Sequence, residues 1–204
     1  ITVVLIVATI FMLTYRVFKN QIKGSLEKVS YTLLGIIYVS VFFSQIINLY
    51  FLGAVFPLIL QVLVWVSDTS AGIVGVAIGR KFFKNGFTEI SPKKSVEGAL
   101  GSIIFTGLAF MLIVVLYIER INGATIGEIF LSFIMGAIIS VVAQIGDLIE
   151  SLFKRECGVK DSGTILMGHG GVLDRFDSMI LVLPFVTMVL YFFHLYISYQ
   201  YGIN

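Results

Sequence analysis

Three aspartates are the residues best placed to do chemistry in this chain. Asp174 and Asp177 stand three apart in "LDRFDS", where an apolar run begins, and Asp147 follows the apolar stretch "FIMGAIISVVAQIG". An Asp suits a helix N-terminus, where it caps free amides and meets the positive end of the helix dipole, but two acids are more than one cap requires. Carboxylates converging at the ends of two helices are hard oxygen ligands, and Mg²⁺ binds through one or two such groups together with substrate phosphates. Zinc is a poorer fit, because His169 is the one imidazole nearby and Cys157 the one thiol in the chain. Asp147 has an equal alternative: Glu150 and Lys154 share its helical face, so it can be an interfacial acid paired with Lys154 or Arg155.

Between these acids lies "GHGG", Gly168 to Gly171, flanked by Lys160 on one side and Arg175 on the other. Consecutive glycines let backbone amides close around an anion. Phosphate and divalent cation thus each have candidate partners within the nineteen residues from Lys160 to Ser178. A third constellation runs from Ser67 to Gly101. Asp68 ends an apolar helix there, Arg80 and Lys81 follow, and "SPKKSVEG" brings a turn at Ser91-Pro92, then Lys93, Lys94 and Glu97. Ser95 is placed to cap the next helix. Taken alone, this loop reads as an ordinary basic connection with caps. His194, among Tyr and Phe, reads as a packed or interfacial histidine.

The elements that must position these groups are membrane helices. Apolar residues are 58% of the 204 and charged residues 13%, against roughly 25% charged in a soluble domain. The chain is therefore all-α, a polytopic transmembrane protein in one integral-membrane domain, 1–204. About 20 apolar residues span the hydrocarbon, and six stretches qualify: 1–18, 29–48, 50–67, 99–118, 127–148 and 178–200. The second and third are expected to join tightly around Asn48-Leu49-Tyr50. The short "SAGIVGVAIG", 70–79, either continues the third helix or re-enters the membrane. With six spans, thirteen of the fourteen Lys and Arg residues fall on one side, Arg120 alone being opposite. The positive-inside rule makes that side cytoplasmic, so the polar loops that form the site face the cytoplasm. The net charge of +2 gives no reason to expect a nucleic acid partner. The opening "ITVVLIVATIF" lacks a basic leader and is expected to belong to a fragment whose earlier helices are missing.

From Ser151 onward, Phe153, Lys154, Arg155, Lys160, Asp161, Gly163, His169, Gly170, Gly171, Asp174, Arg175 and Asp177 fall in one register. That register resembles the signature of the phosphatidate cytidylyltransferases, also called CDP-diacylglycerol synthases. Gly146-Asp147, Asp68-Thr69, Gly79-Arg80 and "SPKKSVEG" fit as well, so the resemblance covers about 60–180, the expected catalytic portion. Met167, Cys157 and Ser95 depart from the usual Pro, Ala and Thr, and none of the three removes a charge. The resemblance implies transfer of CMP from CTP to phosphatidic acid, giving CDP-diacylglycerol and pyrophosphate in a bacterial cytoplasmic (inner) membrane. It implies Mg²⁺, one ion or two, on Asp147, Asp174 and Asp177. Lys160, Arg175 and the backbone of His169, Gly170 and Gly171 would face nucleotide phosphates. Asp68, Arg80, Lys94, Glu97, Lys154 and Arg155 would complete the nucleotide site, with His169 a hydrogen-bond donor rather than a base. Arg16, Lys19 and Lys23 would attract the lipid headgroup. A homodimer is compatible with this reading. The competing reading is a cation- or proton-coupled transporter, which would place its acids at mid-helix.

Overall fold

The computed structural model describes residues 2–20, 22–84, 86–118, 125–164 and 170–201. They form seven α-helices: α1 (Thr2–Phe18), α2 (Ser25–Gly35), α3 (Phe42–Leu52), α4 (Phe56–Ile78), α5 (Val96–Ile118), α6 (Ile126–Glu156) and α7 (Leu173–Tyr201). A π-helical turn, Ile36–Val41, joins α2 to α3, so Ser25–Leu52 runs as one apolar rod. That rod, α4, α5, α6 and α7 are each long and apolar enough to cross a membrane, and α1 is a shorter apolar helix of 17 residues. The polytopic, all-helical expectation holds, and the six apolar stretches correspond one to one with these elements.

The boundaries move, and each shift has a local cause. The turn expected at Asn48–Tyr50 lies at 53–55. Gly53 breaks the helix with an extended backbone, and Pro57, in the first turn of α4, starts the next one, where its missing N–H is not needed. "SAGIVGVAIG" continues α4, which puts Asp68 inside that helix instead of at its end. Helix α5 starts at Val96 because the Ser95 hydroxyl accepts from the Gly98 amide at 3.1 Å. Helix α6 opens on a reciprocal cap between Thr125 and Glu128. It runs to Glu156, with Lys154 and Arg155 in its last turn, at the negative end of the helix dipole.

Helix α5 packs between α4 and α6, and α7 packs on α6 and α3. The core is formed by Leu49, Leu60, Leu63, Val64, Ile139, Ala143, Met179, Val182, Leu183 and Val186. Outward faces stay apolar and exposed, as at Phe51 and Val76. Lipid removes the hydrophobic drive between helices, so close approach through small residues matters more. A Cβ on Gly98 would lie 2.6 Å from the Ala71 carbonyl oxygen, and one on Gly136 2.7 Å from that of Thr106. A Cβ on Gly146 would lie 2.9 Å from the Asp177 carbonyl oxygen and 3.0 Å from the Ser178 backbone. Gly146 thereby seats α6 directly on the start of α7. Deeper in, Ser67 and Ser140 share a hydrogen bond of 2.9 Å, Ser140 donates to Ser102 at 3.2 Å, and Gln144 donates to Ser102 at 2.8 Å. This buried polar chain ties α4, α5 and α6 together.

Candidate active site at one end of the bundle

The connection between α4 and α5 is folded back on its own helix before it reaches the site. Glu97, buried in the first turn of α5, accepts from the backbone amides of Phe82 and Phe83, both at 2.9 Å. Arg80 sits in the left-handed region (φ 63°) and its guanidinium donates to the Pro92 carbonyl at 2.5 Å. Both residues shape the connection, and neither lines the cavity beside it. The connection delivers Lys94, whose ammonium forms an ion pair with Asp147 of α6. Around that pair lies a cavity of about 390 Å³, lined by Asp68, Lys93, Lys94, Ser95, Gln144 and Asp147, with Gly72, Gly75 and Gly98 opening its walls.

A second cluster stands at the end of α6. Lys154 forms ion pairs with Glu150, one turn earlier and fully buried, and with Asp174 of α7 at 2.7 Å. The other oxygen of Asp174 accepts from the Ser162 amide (2.9 Å), the Ser162 hydroxyl (2.8 Å) and the Gly171 amide (2.6 Å). Gly170 has φ +80°, and a Cβ there would come 2.8 Å from that oxygen. The glycines thus let the backbone close on an anion, as their spacing suggests, and the anion seated here is Asp174 itself.

Asp177 lies between the clusters. Its Oδ1 accepts from the Ser178 amide at 2.6 Å, and the charges of Asp147, Lys154 and Lys94 reach it. Asp68 in turn feels Asp177, Asp147 and Lys94. Asp68, Asp147 and Asp177 therefore share one electrostatic neighbourhood with Lys94, and Asp174 belongs to the neighbouring one with Lys154. Arg155, Lys160 and Arg175 are exposed on the same end. His169 lies outside the described residues.

Among the described residues, no three acids, histidines or cysteines are grouped as a metal cage. A hard cation that keeps much of its water asks for less, one or two carboxylates plus substrate oxygens. Asp147 and Asp177, adjacent across the Gly146 contact, match that donor set. Asp174, with four donors on its carboxylate, would have to give some of them up to join them.

Sequence reasoning missed Gln144 and Ser162, and it named Glu150 only as a neighbour on the helical face of Asp147. Gln144 and the three buried serines were visible as polar residues inside apolar runs, and such residues in membrane helices find partners on neighbouring helices. Nothing in the sequence marked Ser162 as a partner of Asp174. The expectation that all the acids lie at helix ends also needs correcting. Asp68 and Asp147 lie well inside α4 and α6, so acid position alone does not set aside a transporter.

Fold and site together define an integral membrane protein with acids and lysines interleaved at one end of its helices, suited to holding anionic substrates. Comparison with known proteins gives the class a family. The profile described as "Cytidylyltransferase family" matches residues 1–193. A phosphatidate cytidylyltransferase of Bacillus subtilis is 37% identical over 190 residues, 91% of this chain and 66% of that protein. Proteins of the same name from Staphylococcus saprophyticus and Staphylococcus haemolyticus are 38% and 37% identical over 186 residues, covering 91% of this chain and 68% of each relative. The chain belongs to the cytidylyltransferase family, and it spans about two thirds of the length of these relatives. The match also reaches the residues before 60, outside the stretch that carries the motif residues.

Proposed function

We propose that this chain carries the active site of a phosphatidate cytidylyltransferase. It transfers CMP from CTP to phosphatidic acid and releases pyrophosphate and CDP-diacylglycerol. The observation that carries the reading is the likeness to relatives of that name along 91% of the chain. The cavity at Asp68, Lys94 and Asp147 supplies a chemistry that fits it.

A phosphate oxygen of the lipid attacks the α-phosphorus of CTP, a new P–O bond forms, and the bond to the β-phosphate oxygen breaks with pyrophosphate leaving. The attacking oxygen is already anionic, so the step needs no side chain to remove a proton. It needs two anions brought together in one orientation with their charge offset, and positioning and electrostatics dominate such transfers. Lys94 lines the cavity, Lys154 stands in the second cluster at the end of α6, Lys160 lies in the loop before α7 and Arg175 in the first turn of α7. These four are the cations for nucleotide and pyrophosphate oxygens, with His169 a hydrogen-bond donor to them. Mg²⁺ held by Asp147 and Asp177 would supply further charge neutralisation at the nucleotide phosphates. Asp68 faces the same cavity, while Arg80, Glu97 and Asp174 hold the two connections in shape. The protein works in a bacterial cytoplasmic membrane, as one copy or as a homodimer, with these connections in the cytoplasm.

The test is pyrophosphate release by the full-length protein in detergent. Release from CTP that depends on added phosphatidic acid is the expected result. Release without the lipid, or none under any lipid, would overturn the reading.

A further inference from the structure

The connection from α4 to α5 carries three phenylalanines, and it treats them differently. Phe87 is half-buried and lines a small apolar cavity with Ala99 and Leu100 of α5 and Val141 of α6. Phe82 and Phe83 are 77% and 50% exposed. Neither sits in a helix, so neither belongs to the lipid-facing surface that a spanning helix must carry.

The backbone fixes that exposure. The amides of Phe82 and Phe83 both donate to one oxygen of the buried Glu97, at 2.9 Å each, and the Arg80 guanidinium donates to the Pro92 carbonyl. Further on, the Phe87 amide donates to the Lys94 carbonyl at 2.9 Å, which closes the connection on itself. Two rings clamped outward in water would keep their apolar area hydrated, at a cost in proportion to that area. The surroundings point to a different medium. Lys81 and Lys84 flank the pair directly and are exposed. Residues 79–95 hold five Lys and Arg against one acid, Glu89. The pair also follows directly on α4, which ends at Ile78 and bears Val76, 91% exposed, in its last turn. Aromatic rings beside cations, just past a spanning helix, suit the boundary between membrane and water. There the rings enter the acyl edge while the ammonium groups stay with the headgroups.

We propose that Lys81, Phe82, Phe83 and Lys84 form a docking site for anionic phospholipid of the surrounding bilayer. The two rings enter the interface, and Lys81 and Lys84 take the lipid phosphate. The clamp from Glu97 passes that anchorage to the connection that delivers Lys94. An anionic lipid is favoured over a zwitterionic one, because each lysine near a negative surface adds an attraction that a choline headgroup cancels. The site needs only the membrane-spanning fold and stands apart from the reaction assigned above.

Fluorescence from a tryptophan placed at the site tests it, in the full-length protein with every native tryptophan, Trp65 included, replaced by Phe. Phe82→Trp and Phe83→Trp each supply one probe, so a variant that fails to insert leaves the other. The protein is reconstituted in phosphatidylcholine vesicles that contain either phosphatidylcholine or phosphatidylglycerol spin-labelled near the top of the acyl chain, and acrylamide is the quencher from water. The expected result is quenching by both labelled lipids and little by acrylamide. Phosphatidylglycerol should bind about fivefold or more tightly than phosphatidylcholine, the scale of one lysine at an anionic surface. Lys81→Gln together with Lys84→Gln should erase that preference and leave the quenching of the ring. Quenching by acrylamide and not by lipid would overturn the proposal. So would equal quenching by the two lipids in the protein that keeps its lysines. These readouts involve neither CTP nor turnover, so a failure of the cytidylyltransferase reading leaves them unaffected.

Discussion

Asp174 combines two demands on one carboxylate. One oxygen faces Lys154 and the other takes three donors from the loop before α7. Charge-assisted hydrogen bonds of this kind are about twice as strong as neutral ones, so the loop's position relative to α6 depends on the charge as well as on the shape. Asp174→Asn keeps the shape and removes the charge, and the amide nitrogen cannot accept the bonds it replaces. Turnover should fall by about a hundredfold or more, as when one preorganised electrostatic group is lost, with membrane insertion unaffected. The Mg²⁺ concentration for half-maximal turnover should stay put if the residue organises the loop. A clear rise in that requirement would mean the carboxylate leaves its donors and ligates the cation.

At the scale of the element, Gly146 decides whether the acids of α6 and α7 meet at all. Any side chain there presses on the Asp177 carbonyl and the Ser178 backbone, and backbone cannot swing aside as a side-chain tip can. Gly146→Ala should push α7 outward by a few tenths of an ångström, and Gly146→Leu by much more. Activity should fall in that order, measured as pyrophosphate release on protein shown to be inserted and monodisperse; equal activity in both variants would refute the role. The helices themselves were legible in the sequence because apolar runs of membrane length leave few alternatives. Their ends were less so. Hydropathy registers the lipid-immersed part of a helix, while the polar turns "SLFKRE" of α6 and "LDRFD" of α7 continue the same backbone beyond it. Asp147, Asp174 and Asp177 stood out as charges in an apolar chain. Their partners did not: Lys94 meets Asp147 across 53 residues, and Ser162 meets Asp174 across 12. Such pairings follow from helix packing, which periodicity does not encode.

For the molecule as a whole, the connections at 19–24, 79–95 and 157–172 follow alternate apolar spans, and the second reaches α6 through the ion pair of Lys94 with Asp147. In a background with Cys157 replaced, a cysteine at Lys84 should react with an impermeant thiol reagent from the cytoplasmic side, and one at Asn122 from the opposite side. Reaction of both from a single side would refute the arrangement. The length of α6 carries a consequence of its own. Its 31 residues make a rod of about 46 Å, against roughly 30 Å of hydrocarbon. Measured from the capped end at Thr125, Asp147 stands about 33 Å up that rod, so with the cap at one edge of the hydrocarbon the other edge would fall near Asp147. The helix works as a depth gauge. On the proposed function, a phospholipid would meet the acids without climbing out of its leaflet, and a water-soluble nucleotide would meet them without entering oil. Membranes thinner or thicker than the gauge would lift or sink the acids relative to the headgroups, at a modest cost per ångström of mismatch. Turnover in reconstituted bilayers of graded thickness should therefore pass through a maximum, and a flat profile would mean that the protein, not the lipid, sets the height at which the two substrates meet.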